Sequence, residues 1–143
     1  GAANDDLLDV SRRVAELGRL LATDDGANLL AAYRRAANIL SAEERKGTRI
    51  ADVVAPARFV EPEEHALFEA VERAEALLRT ALAAEDYAAA TAALANLRAP
   101  ADSFFEQVLV NVEDEGVRAN RLALLARIRS ATARLANFGE IAK

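Results

Sequence analysis

The 143-residue sequence predicts an all-α fold, an antiparallel bundle of five or six helices. Three observations predict it. Alanine fills 35 positions, and Ala, Leu, Glu and Arg, all good helix formers, make up more than half of the chain. Gly and Pro number only 6 and 3, so little interrupts a helix. Apolar residues also recur at intervals of three and four through one segment after another, the period of a helix with one buried face.

The elements follow in order. Asp5 or Asp6 caps a first helix that runs to about Ala22, with Leu7, Val10, Val14, Leu17 and Leu21 on one side. Thr23-Asp24-Asp25-Gly26 reads as a turn that caps a second helix over about Ala27–Arg45. Leu29, Tyr33, Ala36, Ala37 and Leu40 form the apolar stripe of that helix. Gly47 to Pro62 is the one long irregular stretch, and its recurring Ile50, Val53 and Val54 mark an ordered loop or short turn rather than a linker. A third helix begins at Glu63, with Leu67, Phe68, Val71, Leu78 and Leu82. Glu85-Asp86 caps a fourth, carrying Tyr87, Ala90, Leu94 and Leu97. Pro100 suits the first turn of a fifth, which carries Phe104, Phe105, Val108 and Leu109. Asn111 to Glu115 breaks the pattern, and a sixth helix follows to about Ala136. Short links between these helices predict antiparallel neighbours, and the many alanines let helix axes approach closely while Leu and Phe fill the gaps. Residues 1–143 form one domain, long enough to bury a core.

Composition limits the chemistry. The chain has no Cys, which excludes disulfides, thiolate metal sites and a cysteine nucleophile and fits a cytoplasmic protein. No run approaches the roughly 18 apolar residues of a membrane span, so no membrane partner is expected. Met is absent even at position 1, and the chain reads as a fragment of something larger. His65 is the single histidine, and Pro62 stands where a Glu-x-x-His metal motif needs its acid. Ala66-Leu67-Phe68-Glu69 gives His65 no nearby base for a phosphotransfer role, and a histidine on a helix surface is the simpler reading. Glu69, Glu72, Glu75 and Glu85 read as a solvated face, and no phosphate-binding glycine loop is present. No catalytic residue, metal site or cofactor is therefore expected in this chain.

The formal net charge of −5 conceals a division. Residues 34–58 hold six bases against three acids, and residues 117–143 hold six against one. Residues 59–116 hold three bases against thirteen acids. If the two basic segments meet in the folded bundle, they make the footprint a nucleic acid needs; ordinary scatter of charge is the alternative. At about 100° per residue, Arg34, Asn38, Ser41 and Arg45 fall in a narrow arc opposite Leu29 and Leu40, with Arg35 and Lys46 beside it. Arginine and lysine neutralise phosphates, while Asn and Ser can bond base edges or riboses. On the sixth helix Val117, Leu124, Ile128, Ala131 and Leu135 share one face. Asn120, Arg127 and Arg134 form one flank, Arg118 and Arg129 the other, and Arg121 projects within the apolar arc. Arg121 is either a ligand contact or half of a partly buried ion pair with Glu113 or Asp102; for the flanking arginines the alternative is a solvated face.

Three blocks carry a resemblance. Asp25-Gly26-Ala27-Asn28-Leu29-Leu30-Ala31-Ala32-Tyr33-Arg34-Arg35-Ala36-Ala37-Asn38-Ile39-Leu40 is one. Leu97-Arg98-Ala99-Pro100-Ala101-Asp102-Ser103-Phe104-Phe105, with Val108 to Asn111 after it, is the second. Glu113-Asp114 and Arg118-Ala119-Asn120-Arg121-Leu122-Ala123-Leu124-Leu125 make the third. In this order they resemble the C-terminal domain of bacterial glycyl-tRNA synthetase β subunits, a DALR-type anticodon-binding domain similar to the one that ends arginyl-tRNA synthetases. Ser130-Ala131-Thr132-Ala133-Arg134 departs from the more apolar run usual there.

The resemblance implies a C-terminal fragment of a β subunit in an α2β2 enzyme, where the α subunit carries glycine activation with ATP and Mg2+ and the β subunit recognises tRNA. The implied ligand is the anticodon stem-loop of glycine tRNA, with two cytosines in its anticodon. The expected RNA-binding residues are Arg34, Arg35, Asn38, Arg45 and Lys46, with Arg118, Asn120 and Arg121 completing or supporting the site. The competing class is a structural domain that braces the β subunit or docks on the α subunit without reading RNA.

Overall fold

A computed structural model describes residue 19, residues 22–110 and residues 112–140. The first predicted helix falls almost wholly outside them, as does Asn111. The described residues are all-α: five α-helices and one 3-10 turn, with no strand among them. None of the helices is long and apolar enough to cross a membrane.

Helix α1 spans Asp24–Arg45, three residues earlier than the apolar pattern indicates, because Thr23 rather than an aspartate is its cap. The Thr23 hydroxyl oxygen accepts the Gly26 N–H at 3.2 Å, and Asp24 and Asp25 then sit in the first turn, where the helix dipole favours acids. The helix closes on Gly47, whose φ of +89° is the left-handed conformation that glycine alone adopts freely. Gly47 N–H donates to Glu44 O at 3.0 Å and Thr48 N–H to Glu43 O at 3.1 Å, the paired bonds of a Schellman ending.

Helix α2 spans Pro62–Ala83 and opens with a capping box between Glu61 and Glu64. It ends in the same double-bonded way as α1, with Glu85 taking the left-handed position at φ 55°. Asp86 then caps α3 (Tyr87–Ala95) by accepting the Ala89 N–H at 3.0 Å. Helix α4 spans Arg98–Gln107, with Pro100 in its first turn as expected. It stops two residues short of the predicted run: Val108 is extended and buried, and Leu109, expected in the core, is 75% exposed. Asp114 Oδ1 accepts the Val117 N–H at 3.0 Å, and α5 runs over Glu115–Glu140.

Helix α5 lies at the centre and packs against α1, α2 and α3. Leu122, Leu124, Leu125 and Ile128 are fully buried in it, each contributing roughly 1.5–3 kcal/mol of transfer free energy. Alanines 90, 93 and 95 let the short α3 sink against its neighbours. The running directions follow from the contacts. Leu29 and Tyr33 lie beside Thr132 and Ala136, while Glu44 reaches Arg129, so α1 and α5 are antiparallel. Glu64 meets Arg121, and Glu72 and Glu75 meet Arg127, so α2 and α5 run the same way. Short links make sequential helices antiparallel, but they do not constrain this non-sequential pair.

The irregular segment after α1 is ordered. Ile50 to Asp52 lie beside Ala123–Ser130, Ala55 beside Asn120, and Arg58 of the Pro56–Arg58 turn beside Gly116. The loop thus descends along α5 in the opposite direction and delivers the chain to the start of α2.

Candidate nucleic-acid interface

The arc read from helical spacing is solvent-facing. Arg34, Asn38, Ser41 and Arg45 are all exposed on α1, while Leu29, Ala32, Ala36 and Leu40 of its opposite side are buried. Arg34 and Asn38 make no side-chain bond to any described residue. Arg45 folds back on its own helix, Nε donating to Ser41 O at 3.3 Å. Lys46 lies 3.6 Å from Glu43 and remains largely exposed. Arg35 sits to one side of the arc, its guanidinium 4.3 Å from the centroid of the Phe105 ring on α4.

The two acids of this helix end do not cancel the arc. Glu43 is buried and accepts the Thr48 hydroxyl at 3.0 Å as well as facing Lys46. Glu44 accepts two bonds from Arg129, at 2.8 and 3.1 Å. That bonding holds the Glu44 carboxyl below its ordinary pKa and the Arg129 guanidinium above its own. An arginine of the sixth predicted helix therefore neutralises an acid of the second, and the arc keeps its cations.

Arg127 of α5 is similarly engaged. Arg127 lies against Phe68 and bonds Glu72 at 3.2 Å and both oxygens of Glu75. Burial pulls its pKa down, but these carboxylates outweigh that and raise it. The cationic flanks expected on this helix are thus partly spent inside the domain.

Asn120 and Arg121, expected to complete or support an RNA site, are buried and committed to the chain itself. Asn120 Oδ1 accepts the Ala55 N–H at 2.6 Å, and Nδ2 donates to Ala55 O at 3.0 Å. Arg121 donates to Leu109 O at 2.5 Å and to Glu64 Oε1 at 3.0 Å. Its acid is neither Glu113 nor Asp102; Asp102 pairs with Arg98 at 3.0 Å. Glu64 in turn accepts the N–H groups of Val60 and Glu61, at 3.0 and 2.9 Å. Burial pushes the Glu64 carboxyl up, but Arg121 and these two N–H groups outweigh it and hold it below the ordinary value. One turn of α5 therefore fastens two loops.

Arg118 is half-buried with no side-chain bond to a described residue. It lies eleven residues before Arg129 on α5, roughly 16 Å along the axis at 1.5 Å per residue. It thus belongs to the opposite end of the bundle from the α1 arc. Arg49 and Arg58 are exposed on the loop that runs from one end to the other, Arg58 beside Gly116, so the basic residues are strung along the bundle as a track rather than gathered in one cluster. Phe105 was missed as a neighbour of this surface, because nothing in a helical period connects position 35 to position 105.

His65 is exposed, with its ring edge-on to Phe59 at 4.7 Å. No group of three or more His, Asp and Glu suited to a metal occurs among the described residues.

Fold and surface together define a class: an all-α bundle that pairs Arg121, Arg127 and Arg129 of its central helix with its own acids and leaves one outer helix face cationic. The chain belongs to the DALR anticodon binding domain family, whose model matches residues 29–137. It is 50% identical over 139 residues to the glycine–tRNA ligase beta subunit of Dinoroseobacter shibae, covering 96% of this chain and 19% of that protein. It is 48% identical over 138 residues to the glycine–tRNA ligase beta subunit of Phenylobacterium zucineum, covering 96% of this chain and 21% of that one. The chain thus spans about one fifth of the length of these relatives.

Proposed function

We propose that this domain binds the anticodon stem-loop of glycine tRNA as the non-catalytic, RNA-recognising part of a glycine–tRNA ligase β subunit. The observation that carries the reading is the exposed α1 arc of Arg34, Asn38, Ser41 and Arg45, with Arg35 and Lys46 beside it, in a chain of the anticodon-binding family. The cations neutralise phosphates of the loop and set its register, and Asn38 and Ser41 offer hydrogen bonds to splayed bases or riboses. Asn120 and Arg121 hold the loops that complete the surface, and Arg118 continues the basic track. The rest of the β subunit, an α subunit in an α2β2 assembly, and ATP with Mg2+ at the activating site of that α subunit belong to the same proposal. A cytoplasmic location goes with it.

The test is a titration of the 143-residue chain with a glycine-tRNA anticodon hairpin and with a hairpin in which both cytosines are changed. Tighter binding of the first is expected. Arg34→Ala and Arg45→Ala should each lower the slope of log K against log salt by about 0.7–0.9. Equal binding of both hairpins would reduce the domain to electrostatic attraction. No binding at low salt would leave it a docking domain.

A further inference from the structure

Arg35 and Phe105 lie 70 positions apart, yet the Arg35 guanidinium rests 4.3 Å from the centre of the Phe105 ring. Phe105 is half-buried and is itself braced edge-on by the fully buried Phe104, ring centroids 5.7 Å apart. The two helices are fastened beside this pair. Arg98 of α4 donates to Asn28 of α1 at 3.0 Å, and Asp102 fixes Arg98 one turn along. Arg35 itself is exposed, so the guanidinium that lies over the ring is also open to solvent. An arginine on the surface ordinarily loses substantial rotamer freedom when it binds a flat ligand. Here the aromatic ring holds the plane in place beforehand, by a cation–π contact.

We propose that Arg35 and Phe105 form a base-stacking subsite beside the α1 arc. An unstacked nucleobase lies on the side of the Arg35 guanidinium away from the ring, giving a three-layer stack of phenyl ring, guanidinium and base. Arg35 touches the base; Phe105 is a positioning residue that acts through Arg35. Unpaired loop bases stack readily on arginine planes, and stacking tolerates any base because each has a π face. The arc then supplies phosphate contacts and the subsite holds one base out of the loop. This inference rests on the reading of the domain as an anticodon-loop binder.

The test uses the 143-residue chain and a glycine-tRNA anticodon hairpin carrying 2-aminopurine at one loop position after another. Wild type should bind and should quench the probe at one position. Arg35→Lys keeps the charge and loses the plane. It should weaken binding about 5-fold or more, the lower end of what one stack contributes, with the salt slope unchanged and the quenching lost. Phe105→Leu should shift affinity and quenching the same way, and Phe105→Tyr should restore both. Wild-type affinity and quenching in Arg35→Lys would overturn the subsite while leaving anticodon binding intact. Failure of the wild-type chain to bind the hairpin would overturn the functional reading itself.

Discussion

Replacing Arg121 by Met tests the account of how the loops are held. Arg121 is 5% exposed and its partner Glu64 is 0% exposed. The substitution keeps much of the side-chain volume but removes the cation paired with a buried carboxylate. Breaking a buried pair by removing one partner costs about 3–5 kcal/mol, and the lost bond to Leu109 O is part of that. Unfolding entropy near the midpoint is about 2.1 cal/mol/K per residue, or roughly 0.3 kcal/mol/K for this chain, so Tm should fall by about 10–17 °C. The pH dependence carries its own sign. In the wild-type chain the Glu64 carboxyl is held below its ordinary value, so its contribution is present at neutral pH and is lost as pH falls through the native value. Without Arg121 the largest influence that lowers the carboxyl is gone while burial still raises it, so the native pKa moves upward and the stability gap between variant and wild type shrinks as the carboxyl protonates. Calorimetry on both proteins from pH 7 down to pH 4 should show the gap narrowing. A Tm loss under about 3 °C, or a gap independent of pH, would refute the reasoning.

Asn120→Ala removes both bonds to Ala55 and should destabilise the fold by about 1–3 kcal/mol; faster amide exchange at Ala55, with exchange in the middle of α5 unchanged, is the check. Gly47→Ala forces a side chain into a φ of +89° and should lower stability by about 1–2 kcal/mol in a denaturant titration, since the site has space and only the backbone objects. Glu44→Gln removes an acid from α1 and frees Arg129 beside the arc. It should strengthen hairpin binding several-fold at low salt and steepen the salt slope, whereas Glu69→Gln on α2 should leave both unchanged.

Features that repeat along the chain were legible in the sequence, and features that join distant positions were not. The buried and exposed sides of α1 follow from a 3.6-residue period, so Leu29 and Leu40 inside and Arg34 and Arg45 outside were readable directly. The ordered loop was readable too, because Val54 had to be covered; it is buried. The acid facing Arg121 was not readable. Glu64 is 57 positions away, and several acids fit equally well until the fold places α2 parallel to α5. Leu109 looked like core because it continues an apolar run. The helix instead ends at Gln107, and the Leu109 carbonyl is turned to Arg121 while its side chain faces out. The pairing of Arg129 with Glu44 was not readable either, because the two stand 85 positions apart and meet only once α1 packs antiparallel to α5.

The division of charge resolves how a chain of net −5 can present a surface for a polyanion. The most acidic helix is α2, and α1 and α2 share no extensive contact; both pack instead against α3 and α5. With neighbouring axes 8–10 Å apart, helices placed across such a pair stand roughly 15 Å from one another. Their exposed side chains point away from the bundle and stand farther apart still. The Debye length at physiological ionic strength is about 8 Å, so the α2 acids are largely screened from anything bound on α1. Glu43 and Glu44 lie within that length of the arc, and each already faces a cation. What a bound phosphate experiences is therefore the local sum over α1 and its loop, not the charge of the chain. This is why Glu44 and Glu69, equal in formal charge, should differ so sharply when neutralised.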